Sequence, residues 1–170
     1  VYGKQEMRSL SRSQESCFLL TNGLGGYASL TAAYSANRCD QGVLIAAQKA
    51  PGERVTLVHR LREILTVDGK PYWLSTQQFA DSTPPEDGFR NLSFFAFENI
   101  PHWRYHIGGV RVTRTMAMTY GQNTTAVIYK VENQSGAACS LTVDPFVKFG
   151  PKETAAKAAP NISFSQGKVM

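Results

Sequence analysis

At 170 residues the chain is long enough for one well-packed domain and short for two. Its 42% hydrophobic and 18% charged residues exclude disorder, and no run of about 18 apolar residues is available to cross a bilayer as a helix. The net charge of +5 raises nucleic acid as a partner, but Arg38, Arg54, Arg60, Arg62, Arg104, Arg111 and Arg114 are scattered among apolar residues. That pattern reads as the wet face of a sheet, so no nucleic-acid partner is expected.

The first sixteen residues are polar and aperiodic, and are expected to form an arm or an edge segment ahead of a domain over 17–170. They lack the apolar centre of a signal peptide. With no clean start at Val1 and no punctuation at Met170, the chain reads as a piece of a longer protein. An apolar run, Phe18 to Leu20, then leads into Asn22-Gly23-Leu24-Gly25-Gly26-Tyr27, where three glycines in four positions allow a sharp bend. Asn37 to Gln41 is polar, and Gly42 to Ala47 reads as a buried strand. Ala50-Pro51-Gly52-Glu53 is turn chemistry.

Arg54 to Val58 and Glu63 to Val67 are strand-like, and Asp68-Gly69 is a hairpin turn leading back into Lys70 to Ser75. Tyr72 and Trp73 are consecutive, so one of the two is expected outside. Thr76 to Asn91 has no period and reads as a long exposed loop ending at Phe89-Arg90. Phe94, Phe95 and Phe97 resume a strand. Trp103, Tyr105 and Ile107 then alternate with His102, Arg104 and His106, which places the first set in the core. Val110 to Met118, Thr124 to Glu132 and Cys139 to Phe149 follow as strands separated by Gly121-Gln122-Asn123 and Ser135-Gly136. Lys152 to Pro160 reads as a loop or helical turn, and 161–170 as another alternating stretch. The sum is about nine or ten short strands, the pattern of an antiparallel all-β sandwich.

Several chemistries fail on spacing. Gly23-Leu24-Gly25-Gly26-Tyr27-Ala28 fits a dinucleotide fingerprint, but Asp40 precedes the next strand instead of ending it, and no helical crossovers follow. His102 and His106 on one strand stand about 13 Å apart, too far to share a metal. Cys17, Cys39 and Cys139 are odd in number without metal spacing, and read as reduced thiols of a cytoplasmic protein. No catalytic carboxylate pair, nucleophile elbow or phosphate loop is evident, so no catalytic residue, metal or cofactor is expected within the chain.

Leu19-Leu20-Thr21-Asn22-Gly23-Leu24-Gly25-Gly26-Tyr27-Ala28-Ser29 resembles the opening motif of the N-terminal domain of bacterial and archaeal-type glycogen debranching enzymes. Asn37-Arg38, Gly42-Val43-Leu44, Gly88-Phe89-Arg90, Pro101, Trp103, Tyr105 and Gly121-Gln122-Asn123-Thr124 extend the resemblance in order over about residues 17–150. Asp40-Gln41 departs from it, standing where the family carries an aromatic residue and a histidine. The resemblance implies a large β-sandwich that precedes an (α/α)6 barrel holding the glucosidase acids. The implied parent removes α-1,6-linked glucose from glycogen-like branch points. On that reading the domain packs on the barrel of the same polypeptide and lends Asn22, Arg38, Gln41 and Arg90 to the rim of a cleft for glycogen-like or maltooligosaccharide substrate. Arg38 could equally form an internal salt bridge. An independent carbohydrate-binding or protein-docking module is the alternative.

Overall fold

The computed structural model describes residues 1–49 and 52–151. The turn at Ala50-Pro51, the segment from Lys152 to Pro160 and the alternating stretch 161–170 lie outside them. Among the described residues thirteen strands form: β1 (Tyr2–Gly3), β2 (Cys17–Thr21), β3 (Tyr27–Thr31), β4 (Gly42–Lys49), β5 (Glu53–Val67), β6 (Lys70–Trp73), β7 (Thr76–Gln77), β8 (Glu86–Asp87), β9 (Leu92–Phe97), β10 (Pro101–Ile107), β11 (Val110–Met118), β12 (Thr125–Asn133) and β13 (Cys139–Pro151). One short helix, α1 (Leu10–Glu15), precedes β2.

Eleven of the strands build two antiparallel sheets while β7 and β8 pair apart from them, and the all-β expectation holds. One sheet has the order β1-β9-β10-β11-β12; the other runs β13-β5-β4-β3-β2, with β6 also on β5. The two strands expected at Arg54–Val58 and Glu63–Val67 are one continuous strand, β5, which β13 accompanies from Val55 to Val67. The first sixteen residues supply β1 at the edge of the five-stranded sheet and bury Met7.

Alternation explains the core. On β10, Trp103 and Tyr105 are buried while Arg104 and His106 are exposed. Trp103 meets Phe18, Tyr34 and Phe95 with ring centroids 5.1–5.3 Å apart. Its indole N–H donates to the Ala32 carbonyl at 2.9 Å, and the Tyr105 hydroxyl donates to the Leu74 carbonyl at 2.9 Å. Both groups reach across the interface between the sheets, so their polar ends are paired where water is absent. Tyr72 packs against the core and Trp73 pairs with Ile64 on β5; both are half-buried, so neither is fully outside as expected.

The long loop after β6 is not free along its length. β7 and β8 pair, and Glu86 is buried, accepting from Arg60 Nη1 at 2.8 and 3.0 Å and from Ser75 Oγ at 2.8 Å. Only Ala80 to Pro85 is exposed as a continuous run within that segment. A charged anchor at Glu86 carries no periodicity, so the pattern of apolar residues could not reveal it.

The Asp68-Gly69 hairpin is present, with φ of 50° and 73°. Gly69→Ala places a side chain in the left-handed region and is expected to cost about 1 kcal/mol. Urea unfolding should show a lower midpoint with an unchanged slope.

Candidate functional site

The glycine-rich bend joins two antiparallel strands, β2 and β3, and no helix follows it. The fingerprint reading therefore lacks the helix N-terminus that would hold a pyrophosphate. Asn22 organises the bend. It is fully buried; its Oδ1 accepts from the Leu24 and Gly26 amides at 2.9 Å each, and its Nδ2 donates to Gln122 O and Asn123 Oδ1 at 2.9 Å each. All four hydrogen-bonding positions of the amide are filled. Asn123 continues the tie by exchanging two hydrogen bonds with the Ala47 backbone. The β2–β3 turn, the β11–β12 turn and β4 are thereby held at one end of the sandwich. A Cβ at Gly26 would lie 2.6 Å from Asn22 Nδ2 and 2.7 Å from Asn123 Oδ1, so this position accepts only glycine without displacing the tie.

Beside the bend, on the outer face of the six-stranded sheet, lies a groove of about 450 Å³. Leu19, Thr21, Tyr27 and Ser29 form its floor, the outward-facing residues of β2 and β3. Arg38, Asp40 and Gln41 border it, with Arg54 also lining it. Arg54 donates from Nε to the Gly25 carbonyl at 2.7 Å and lies 5.7 Å from the Tyr27 ring centroid.

Gln41 is only 2% exposed, and its Oε1 accepts from the amides of Asn37 and Arg38 at 2.8 and 3.2 Å. The Tyr27 hydroxyl donates to the Asp40 carbonyl at 2.7 Å. These bonds set the backbone of the loop and leave the side chains of Arg38 and Asp40 exposed, with no ion pair or side-chain hydrogen bond among the described residues.

The four candidate residues thus separate. Arg38 is displayed at the groove, and the internal salt bridge considered for it does not form among the described residues. Gln41 lines the groove while bracing the loop. Asn22 lies beneath the bend with its amide fully occupied by protein groups. Arg90 does not line the groove; it pairs with Asp87 at 3.0 Å. Tyr27, Ser29 and Arg54 belong to the groove but were absent from the candidates. Tyr27 and Ser29 could have been found from parity, because Leu19 and Thr21 share their outward face once β2 pairs with β3.

A second polar cluster is sealed in the core. Glu63 on β5 and Arg114 on β11 are both fully buried and form an ion pair between the sheets. Tyr129 donates to the same carboxylate, and Arg114 Nη2 donates to the Tyr105 hydroxyl at 2.7 Å. The guanidinium carbon lies 3.2 Å from the Tyr34 ring centroid and 4.5 Å from that of Trp103. Burial pushes the Glu63 carboxyl up, against the opposing pull of Arg114 and the Tyr129 hydrogen bond. Burial likewise raises Tyr105 and Tyr129, keeping both phenols protonated as donors. The cluster clasps the sheets, with Glu63, Arg114, Tyr105 and Tyr34 buried and Tyr129 half-buried.

Among the described residues no group of His, Cys, Asp and Glu is placed to hold a metal ion, and no helix is long and apolar enough to cross a membrane. An antiparallel two-sheet sandwich with a polar surface groove and a buried ionic pair defines the class as a β-sandwich domain. Residues 17–169 match the family model described as glycogen debranching enzyme N terminal, and the chain belongs to that family. Comparison with curated proteins and with solved structures yields no match.

Proposed function

We propose that this domain is the non-catalytic support of a glycogen-debranching glycoside hydrolase of the α-1,6-glucosidase type. It packs on a catalytic barrel of the same polypeptide and contributes the Arg38–Asp40 groove to the rim of the substrate cleft. The observation that carries this reading is the exposed pair Arg38 and Asp40, held beside the groove by bonds that occupy Gln41 and Tyr27 instead. A guanidinium fork donates to sugar hydroxyls and a carboxylate accepts from them. Packing on another domain is supported by the exposed apolar residues Ile128, Val131, Phe146 and Phe149 on β12 and β13. A cytoplasmic setting agrees with the three free cysteines.

The test compares the full-length parent with its Arg38→Ala variant on a branched glucan. A several-fold rise in KM with kcat little changed is expected, because Arg38 binds substrate away from the reacting bond. Hydrolysis by the 170-residue chain alone would overturn the assignment of catalysis to the barrel.

A further inference from the structure

We propose that the outer face of the five-stranded sheet carries a separate holding site for a neutral α-glucan chain, centred on Phe94, Glu98, His102 and Arg104. The glucan identity rests on the debranching reading above; the site itself rests on the geometry that follows. These four residues, with Ala96 and Thr113, line a groove of about 310 Å³, within the ~300–1,000 Å³ typical of small-molecule sites. It shares no lining residue with the Arg38 groove on the other sheet.

Strand register assembles the groove. Arg104 stands opposite Phe94 on one side and Thr113 on the other, and His102 stands opposite Ala96 and Thr115. The His102 ring nitrogen Nδ1 is 3.0 Å from Thr115 Oγ1, which leaves Nε2 for a ligand. The Arg104 guanidinium lies 5.0 Å from the Phe94 ring centroid.

The charges are the informative feature. On the same sheet Arg111 and Lys130 both pair with Glu132, at 3.6 and 3.1 Å. Arg104 and Glu98 line one groove with opposite charge, yet neither makes an ion pair among the described residues. Arginine only donates and an ionised glutamate only accepts, so a ligand bridging them must do both. Sugar hydroxyls do, and the apolar floor of Phe94 and Ala96 suits the C–H face of a pyranose ring. A phosphate or nucleic-acid strand would meet the Glu98 carboxylate. For a polymeric substrate, a second point of attachment raises the effective concentration of branches near the first without adding contacts there.

The experiment is an amide-resolved NMR titration of the 170-residue chain with maltoheptaose. Saturable shifts are expected at Phe94, His102, Arg104 and Thr113, with binding at least tenfold weaker in Arg104→Ala and in Glu98→Gln and unchanged at these residues in Arg38→Ala. Absence of shifts on this face overturns the proposal, as does persistence of the same shifts in both variants. Shifts confined to the Arg38 groove also overturn it while leaving the rim reading intact. Inorganic phosphate moving the same residues without displacement by maltoheptaose would show an anion site and overturn it as well.

Discussion

Arg114→Met is expected to destabilise the domain by about 3–5 kcal/mol, since it leaves the fully buried Glu63 carboxylate without its counter-ion. Against a typical total of about 5–15 kcal/mol, that is a large share. The double variant Glu63→Gln/Arg114→Met removes both charges and should recover much of the loss. The pH dependence separates charge from packing. Glu63 already has its folded-state pKa raised by burial in the intact domain. A raised carboxyl contributes stability that is full below the ordinary glutamate range and is lost as pH rises through the folded pKa. Without Arg114 the folded pKa climbs further, so the loss on raising the pH grows. Urea unfolding should therefore give a larger Arg114→Met penalty at pH 7 than at pH 4. Equal penalties at the two values would mean that Glu63 does not carry the effect.

Asn22→Ala should cost about 2–4 kcal/mol, because it strands the Leu24 and Gly26 amides and removes the donor to Gln122 O and Asn123 Oδ1. Its consequence reaches the groove. The Gly25 carbonyl that holds Arg54 lies within the bend that Asn22 braces. Faster amide exchange at Leu24 and Gly26, with a lower urea midpoint, is the expected result. Unchanged exchange would show that the bend is set by its glycines alone. This role differs from the substrate contact first considered for Asn22, and burial is the reason: a side chain with all its hydrogen-bonding positions filled by protein has none to offer a ligand.

The same period of two that exposed Trp103 and Tyr105 as core residues also places Arg114 inward, in phase with Val110, Val112 and Met116. Glu63 likewise falls in phase with Leu61 and Leu65 on β5. Parity would bury both charges, but residue type argues the reverse, since unpaired charges belong in water, and Arg114 stands corrected from the wet face on which the sequence placed it. Only the facing of β5 and β11 across the core resolved that conflict by supplying each with its partner. Arg60 is a related case: its scattered position predicts a wet face, yet it is buried, because its partner Glu86 arrives from a loop without period.

The amino-acid sequence by itself determined the all-β class, the Asp68-Gly69 hairpin, the inward face of β10 and the family, because alternation, turn chemistry and motif order are local properties of the chain. Tertiary structure alone decided that Arg38 stands exposed at a groove, that Asn22 and Asn123 tie the bend to the β11–β12 turn, and that Glu63 meets Arg114. Each of those outcomes depends on which groups from distant strands arrive within hydrogen-bonding reach, and that distance is set by sheet pairing and packing, which no single stretch of sequence encodes.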